Sequence, residues 1–167
     1  MALTCHCLVS VFGSRTYCSS AGGNTVRFGM CQIMVTEDKQ ENIATAKKAI
    51  ADSAAQGSQI VCLPEIWNGP YATTSFPVYA EPIPETAEAL HPQRHPSTYM
   101  MAQAAKENGV YVIGGSISER DEQGRIYNTC VTFDPQGRIV AKHRKVHLFD
   151  IDIPGKVSPR NVILINS

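Results

Sequence analysis

Apolar and polar positions in the first third of the chain predict a strand, a helix and a second strand. Residues 28–35 are mostly apolar, and a short run of this kind is typical of a strand that is buried on both faces. Apolar residues then recur at helical spacing through residues 39–56, and Gly57 follows where a left-handed C-terminal cap is expected. Residues 60–63 form another apolar run, which Pro64 ends. This strand–helix–strand unit predicts two parallel strands joined by a right-handed crossover.

The middle of the chain predicts a long loop and a second helix. Residues 66–96 are rich in proline and aromatic side chains, which indicates an ordered surface loop with a helical turn near residues 86–90. Long loops that follow a strand often line a site. A helix is predicted for residues 97–108, with Ser97 as its N-cap and Gly109 as its stop signal.

The pattern that follows predicts antiparallel hairpins. Residues 110–117 and 126–133 are predicted to be strands, separated by a turn at residues 121–124. The residues at 134–137 are strong turn formers and predict a hairpin with a further strand at 138–143. The fold class is therefore α/β with a mixed sheet, in which two parallel strands come first and hairpins follow.

Composition excludes several classes of function. The 167 residues contain 15 basic and 15 acidic side chains, so the formal net charge is zero and nothing favours nucleic acid as a partner. No apolar run is long enough to span a bilayer, so no membrane partner is expected. The cysteines favour a reduced intracellular protein over a disulfide framework, because half of them lie in strand-like apolar runs. They are Cys5, Cys7, Cys18, Cys31, Cys62 and Cys130.

Residues 1–27 differ from the rest of the chain. They contain arginine but no aspartate or glutamate, and serines are scattered among small residues. This composition is compatible with an organelle transit peptide, a disordered extension or an upstream start site. The predicted location is the cytoplasm, or the mitochondrion if residues 1–27 act as a transit peptide. The Cys5-His6-Cys7 run has no usual zinc-ligand spacing and no second ligand pair, so no metal is expected there.

Glu65 directly follows a predicted buried strand, beyond Pro64. In open α/β sheets, ligands bind at the carboxyl ends of strands. A carboxylate that is partly shielded from water there is expected to have a raised pKa, which suits a group that accepts and returns protons near neutrality. The alternative is an ordinary exposed glutamate in a loop, and the Leu-Pro-Glu run taken alone favours that alternative.

Lys145 lies just past the last predicted strand. An ammonium group aimed at a carbonyl oxygen would stabilise the negative charge that develops during nucleophilic attack, and it would favour the thiolate of a nearby cysteine. The alternative is a solvated basic patch, since residues 142–145 are all lysine, arginine or histidine. His147 is either a residue that supports this site or a hydrogen-bonded structural histidine, and the structural role is the one expected. His91 and His95 are expected to be loop residues rather than metal ligands.

Four motifs occur together in one order along the chain. Leu-Pro-Glu ends at Glu65, Gly-Gly-Ser occupies 114–116, Tyr-Asn-Thr occupies 127–129, and Lys-Val-His-Leu-Phe-Asp-Ile-Asp-Ile-Pro-Gly occupies 145–155. Taken jointly they resemble the nitrilase superfamily of carbon–nitrogen hydrolases over residues 28–157. Two details are similar to its omega-amidase branch: the Pro-Tyr pair that follows Trp-Asn in the long loop, and the Phe-Asp-Ile-Asp-Ile-Pro-Gly ending.

This resemblance implies a fold, a mechanism and a substrate class. Family members have a four-layer αββα sandwich and hydrolyse amides or nitriles with a Glu–Lys–Cys triad, without metal or organic cofactor. By motif, Glu65 matches the general base and Lys145 the stabiliser of the oxyanion. Omega-amidases act on small dicarboxylic monoamides such as 2-oxoglutaramate and release ammonia, and these enzymes commonly form homodimers. The implied partners are a small-molecule amide substrate and a second subunit.

The sequence also departs from the family pattern. The family's nucleophilic cysteine lies at a strand-to-helix elbow in the second half of the domain, and no cysteine of this chain has a matching motif. The expected organisation is an extension at 1–27, a partial carbon–nitrogen hydrolase domain at 28–157 that corresponds to roughly the first half of the αββα sandwich, and a non-matching tail at 158–167.

Two interpretations of function follow. The chain is either part of an enzyme of the omega-amidase type, or a truncated, non-catalytic isoform or fragment that docks on full-length family subunits. The missing nucleophile favours the second, so the chain alone is expected to be inactive. A half-domain also leaves apolar residues of its sheet without cover, and each forfeits about 1.5–3 kcal/mol, so aggregation or dependence on a partner is expected. The residues expected to lack cover are Ile60, Val61, Val112, Ile113 and Val131.

Overall fold

The computed structural model describes residues 14–19 and 26–147, which form one mixed sheet with helices. The strands are β1 (Ser14–Ser19), β2 (Val26–Cys31), β3 (Ile60–Cys62), β4 (Tyr111–Ile113), β5 (Ile117–Arg120), β6 (Ile126–Phe133) and β7 (Ile139–Arg144). The helices are α1 (Lys39–Ala55), α2 (Phe76–Tyr79) and α3 (Pro96–Asn108), and a 3-10 turn covers Ala87–Ala89.

The sheet topology confirms the predicted mixed α/β class. The seven described strands are ordered β1-β2-β3-β4-β6-β5, and β7 pairs with the other edge of β6. The pairs β2–β3 and β3–β4 are parallel, and all other pairs are antiparallel. Since β6 runs opposite to β4, the first residues of β6 lie beside the carboxyl ends of β3 and β4. The end of β7 reaches the same carboxyl ends, so three chain segments far apart in sequence meet there.

The long helices α1 and α3 cover one face of the sheet. Val61, Val112 and Val131 face them and are between 0% and 1% exposed, because side chains alternate between the two faces of a strand. The expectation that these three residues lack cover is therefore wrong. Helix α1 contacts β2 and β3, and α3 contacts β4 and β6.

The other face of the sheet is less well covered. Ile60 and Ile113 point to that side and are half-buried, and exposure is larger still for Val26 (46%), Met30 (49%) and Tyr111 (45%). We call these five residues the open sheet face. No helix or strand in the described ranges buries them fully, so the expected shortage of cover holds for this face only.

Helix α3 begins differently from the prediction. Its first residue is Pro96, and Ser97 does not act as the N-cap. The backbone N–H groups of Ser97 and Thr98 instead donate to the carboxylate of Glu81, at 3.3 and 3.0 Å. Glu81 is buried and also forms an ion pair with Lys39, whose Nζ lies 2.8 Å from Glu81 Oε2. A carboxylate from another segment thus caps the helix, and its negative charge is attracted to the positive end of the helix dipole.

The strand predicted at 110–117 is two strands, because the chain breaks at Gly114-Gly115-Ser116. The strand predicted at 28–35 begins at Val26 and ends at Cys31, and Ser14–Ser19 within the expected extension forms β1, antiparallel to β2. Gly57 and Gly109 take the left-handed conformation as expected, at φ +85° and +64°. No helix in the described ranges has the length and hydropathy to cross a membrane.

Residues 1–13, 20–25 and 148–167 lie outside the described residues. The Cys5-His6-Cys7 run, the Phe-Asp-Ile-Asp-Ile-Pro-Gly ending and the tail at 158–167 fall there. The predictions made for them stay predictions.

Candidate active site

The segment that follows β3 is held against the break between β4 and β5. Ser116 N–H donates to the Pro64 carbonyl at 3.2 Å, and Ile66 N–H donates to Ser116 Oγ at 3.1 Å. Trp67 is fully buried, and its indole Nε1–H donates to the Gly114 carbonyl at 2.9 Å. These bonds lie on both sides of Glu65 and fix its backbone.

The backbone is strained beside Glu65. Ile66 has a φ of +49°, a left-handed value that a β-branched side chain rarely adopts. Such a conformation persists only where the surrounding structure enforces it, and it is found more often at functional sites. Gly115, at φ +59°, faces this turn so closely that a Cβ added there would lie 2.0 Å from the Pro64 carbonyl oxygen. The Gly-Gly-Ser motif therefore gives the Leu-Pro-Glu motif room to pack.

Glu65 Oε1 accepts hydrogen bonds from three side chains. Lys145 Nζ lies at 2.8 Å, Asn128 Nδ2 at 2.8 Å and the Tyr71 hydroxyl at 3.4 Å. Among the described residues, every hydrogen bond of the Glu65 side chain is to Oε1. Its other oxygen, Oε2, thus remains available to accept a proton from a bound molecule.

Lys145 reaches Glu65 from the first position after β7. Its backbone N–H donates to the Asn128 carbonyl at 2.8 Å, which continues the β6–β7 ladder by one residue. Asn128 therefore binds both Glu65 and Lys145. Its backbone carbonyl accepts from Lys145, and its side-chain amide donates to Glu65. The site is built from the end of β3, the start of β6 and the end of β7.

The pKa of Glu65 does not follow the prediction. Burial acts to raise it, but hydrogen bonds from Lys145, Asn128 and Tyr71, together with the Lys145 charge, outweigh burial and hold this pKa below its usual value. The hydrogen bond to Glu65 raises the pKa of Lys145 in turn. The expected raised pKa of Glu65 is therefore wrong, because its partners come from distant segments. The pair is ionic at neutral pH, with the carboxylate in its base form.

Replacing Lys145 with methionine is expected to raise the pKa of Glu65. Because the folded pKa of Glu65 lies below the unfolded value of about 4.3, the pair contributes stability above that pH and loses it as the pH falls through the folded value. Glu65 is 45% exposed, so solvent screening limits the contribution to about 1 kcal/mol or less. NMR titration of the Glu65 side-chain carboxyl measures the shift.

The matched control for this titration is Lys48→Met. Lys48 pairs with Asp52 on the exposed side of α1, so this variant removes one lysine and one ion pair far from the site. It should leave the Glu65 titration unchanged. Identical Glu65 pKa values in the Lys145→Met variant and the unmodified chain would contradict the assigned pairing.

The three cysteines of residues 26–147 have environments unsuited to a reactive thiolate. Cys31 is buried. Cys62 and Cys130 are half-buried, and burial raises the pKa of both thiols. The nearby Cys62 thiol adds to the raised pKa of Cys130. A raised pKa keeps the sulfurs of Cys62 and Cys130 protonated at neutral pH, and the thiol is the less reactive form.

Among the described residues, none of the histidines singled out in the sequence forms a hydrogen bond with Glu65 or Lys145. His95 is buried, and its Nδ1 accepts the His91 backbone N–H at 2.9 Å. His147 is exposed, and its expected structural role stays a prediction because the residues that follow it lie outside the described ranges. Within residues 26–147, no three histidine, cysteine or acidic side chains are grouped as a metal site.

Sequence reasoning named two residues of this site and missed two. Glu65 and Lys145 were predicted, and the structure brings them into contact. Asn128 and Tyr71 were noted only as letters of the Tyr-Asn-Thr and Pro-Tyr motifs, with no role. The signal that could have found Asn128 is its place at the start of a strand between two candidate site segments, since an amide there can reach a carboxylate.

Comparison with known proteins agrees with these motifs. The model of the carbon-nitrogen hydrolase family matches residues 27–165. The chloroplastic omega-amidase of Arabidopsis thaliana is 52% identical over 130 residues, which covers 78% of this chain and 34% of that protein. Omega-amidase NIT2 of Xenopus tropicalis is 49% identical over 131 residues, covering 78% of this chain and 44% of the relative. The chain spans less than half the length of these relatives.

Solved structures show the same fold. Nit3 of Saccharomyces cerevisiae, a member of branch 10 of the nitrilase superfamily, aligns with a TM-score of 0.60 at 31% identity over 68% of this chain and 41% of that chain. An amidase of the nitrilase superfamily from Nesterenkonia aligns with a TM-score of 0.65 at 18% identity over 85% of this chain and 49% of that chain. The predicted nitrilase-type fold and the resemblance to omega-amidases are confirmed, and the chain belongs to the carbon-nitrogen hydrolase family.

Proposed function

We propose that Glu65 and Lys145 are the general base and the oxyanion stabiliser of an amidase site of the omega-amidase type. The observation that carries this proposal is their contact, since Lys145 Nζ lies 2.8 Å from Glu65 Oε1 although the two residues are 80 positions apart. An ionised carboxylate next to an ammonium group, at the sheet edge where strands end, suits proton transfer combined with charge stabilisation.

The proposed chemistry assigns one task to each group. Glu65 Oε2 accepts the proton of a cysteine thiol, and the sulfur then bonds to the amide carbonyl carbon. Lys145 donates hydrogen bonds to the oxygen that becomes negative. The C–N bond breaks as the nitrogen receives the proton held by Glu65, and ammonia leaves. Glu65 next removes a proton from water, and the water oxygen bonds to the thioester carbon. The C–S bond breaks as the sulfur receives that proton from Glu65, which releases the carboxylic acid and restores the thiol.

The proposed substrates are small dicarboxylic monoamides such as 2-oxoglutaramate. The names of the relatives from Arabidopsis and Xenopus support this class, since both proteins are omega-amidases. An organelle address for residues 1–27 stays part of the proposal, and the chloroplastic name of the Arabidopsis relative supports it.

We further propose that the 167-residue chain does not turn over substrate by itself. The raised pKa of Cys62 and Cys130 supports this, because a protonated, half-buried thiol is a poor nucleophile. Ammonia release from 2-oxoglutaramate by the purified chain is the direct test, and no release above the uncatalysed rate is expected. Iodoacetamide labelling followed by mass spectrometry should show no cysteine that reacts faster than an ordinary thiol.

Two variants separate the parts of this proposal. If the chain does release ammonia, and one fast-reacting cysteine accounts for it, the proposed inactivity is overturned. Glu65→Gln and Lys145→Met should then each abolish the release, which would support their roles. Release that persists in Glu65→Gln would overturn the role of Glu65. Lys48→Met serves again as the control that should behave like the unmodified chain.

A second candidate is a non-catalytic chain that docks on full-length family subunits. The open sheet face favours it, because three of its five side chains are nearly half exposed (Val26, Met30 and Tyr111). Exposed apolar side chains that are grouped on one face of a sheet are a usual feature of protein association sites. Co-purification with a co-expressed omega-amidase subunit, lost in a variant with charges on this face, would support docking.

A further inference from the structure

Glu119 is a buried carboxylate outside the Glu65–Lys145 pair, and it is only 2% exposed. The Arg144 guanidinium binds both of its oxygens, with Nε on Oε2 and Nη2 on Oε1, each at 2.9 Å. Thr129 Oγ1 donates to Oε2 at 2.6 Å, and Lys142 Nζ lies 3.1 Å from Oε1. Burial acts to raise the pKa of Glu119, but these partners outweigh burial and hold the pKa below its usual value. Glu119 is thus ionised and fully paired.

Arg144 is fixed on a second side as well. Its guanidinium carbon lies 3.8 Å from the centre of the Tyr127 ring, close enough for a cation–π contact. A planar guanidinium that is both paired through two bonds and stacked on a ring has little freedom to move. Arg144 is the last residue of β7, so these contacts fix the end of that strand.

Lys145 is the next residue after this fixed point. Its backbone N–H donates to the carbonyl of Asn128. The two neighbours of Asn128 in β6 are Tyr127, which stacks on Arg144, and Thr129, which donates to Glu119. We propose that Glu119 is a positioning residue, which holds Lys145 Nζ on Glu65 by anchoring Arg144 at the end of β7. This inference rests on the proposed function for its catalytic meaning, although the positioning itself is a property of the fold.

A purely structural role for Glu119 is the alternative, and the same hairpin contains a matched control. Asp134 lies in the turn between β6 and β7, is 3% exposed and pairs with Arg138. It is therefore a second buried carboxylate that binds an arginine of the β6–β7 hairpin, at the end of the hairpin opposite Lys145. Loss of Asp134 should cost stability without moving Lys145.

The experiment is an NMR titration of the Glu65 carboxyl in variants of the full chain. Glu119→Gln removes the charge, and Arg144→Lys keeps a cation but removes the two-bond fork. Both variants should raise the pKa of Glu65 relative to the unmodified chain, Glu119→Gln more than Arg144→Lys. Glu119→Asp retains the charge, so its Glu65 pKa should lie between the values of Glu119→Gln and the unmodified chain. Asp134→Asn should leave the Glu65 pKa at its unmodified value while it lowers the melting temperature.

Every outcome decides between the two roles. An unchanged Glu65 pKa in Glu119→Gln and Arg144→Lys would overturn the positioning role, and so would an equal shift in Asp134→Asn. If Glu119→Gln does not fold, Arg144→Lys decides by the same criterion.

Ammonia release is a separate readout that distinguishes the two proposals. Where the chain is active, Glu119→Gln should lower kcat by about 100-fold with little change in KM, since misplacement of a group by about 1 Å has effects of that size. Absence of ammonia release from the unmodified chain is the result expected under the proposed inactivity, and the positioning role is then decided by the titration, which does not require turnover.

Discussion

Replacing Gly115 with alanine should lower the free energy of unfolding by about 3 kcal/mol or more. The added methyl group would lie 2.0 Å from the Pro64 carbonyl oxygen and 2.3 Å from that of Leu63, and neither backbone atom is free to move away. The left-handed φ of +59° adds its own strain, because an alanine rarely adopts it. The contact lies next to Glu65, so any relaxation would also displace the carboxylate. Chemical denaturation measures the stability, and the Glu65 titration reports the displacement.

Gly124→Ala is the matched control for this prediction. Gly124 has a φ of +79°, but a Cβ added there would meet no heavy atom within 4 Å. It should therefore show only the cost of the left-handed conformation, about 1–2 kcal/mol, and an unchanged Glu65 pKa. If the two variants unfold at the same denaturant concentration, close packing of Gly115 on the Leu-Pro-Glu turn is not what stabilises the site.

The open sheet face should make the purified chain self-associate at micromolar concentrations. Each large apolar side chain left in water forfeits about 1.5–3 kcal/mol, and association recovers part of this. Introducing charges through the double substitution Met30→Glu and Tyr111→Lys should shift the chain towards monomer in sedimentation velocity. These two positions are nearly half exposed, so the monomer can accommodate the new side chains.

Val78→Glu is the control for that experiment. Val78 is 76% exposed but lies on α2, and it does not belong to the strands that carry the open sheet face. Like the double substitution, Val78→Glu puts a charge in place of an exposed apolar side chain, but it should leave the sedimentation coefficient of the chain unchanged. A soluble monomer with a sharp two-state melt, obtained from the unmodified chain, would contradict the prediction that this face drives association.

Local sequence predicted some elements to the residue. Strand β6 has the predicted bounds 126–133, because a strong turn at 134–137 ends it and an apolar run fills it. The hairpin to β7 formed as predicted for the same reason. Gly109 ended α3 as expected, since glycine adopts the left-handed cap without strain. Each of these features depends on residues that are neighbours in the chain.

The errors came from contacts between distant segments. Ser97 was the predicted local cap, but Glu81, 16 positions away, accepts the backbone N–H groups of Ser97 and Thr98 at the start of the helix instead. The apolar run at 110–117 suited one strand, but the Gly114 carbonyl and the backbone of Ser116 bind the segment after β3. The sign of the Glu65 pKa shift was wrong because burial was the only effect visible locally. Its main opposing partners, Asn128 and Lys145, lie 63 and 80 positions away.

The order of apolar runs, turns and motifs was enough to determine the mixed α/β class and the family, and to single out Glu65 and Lys145 as candidate site residues. These are properties of short segments, whose residue types limit what the backbone and side chains can do. The pairing of the two residues, the contacts of Asn128, Glu119 and Arg144, and the direction of the pKa shifts were decided only by the tertiary structure. Electrostatic interactions and hydrogen bonds act over a few ångströms, so they depend on which distant segments the sheet brings together.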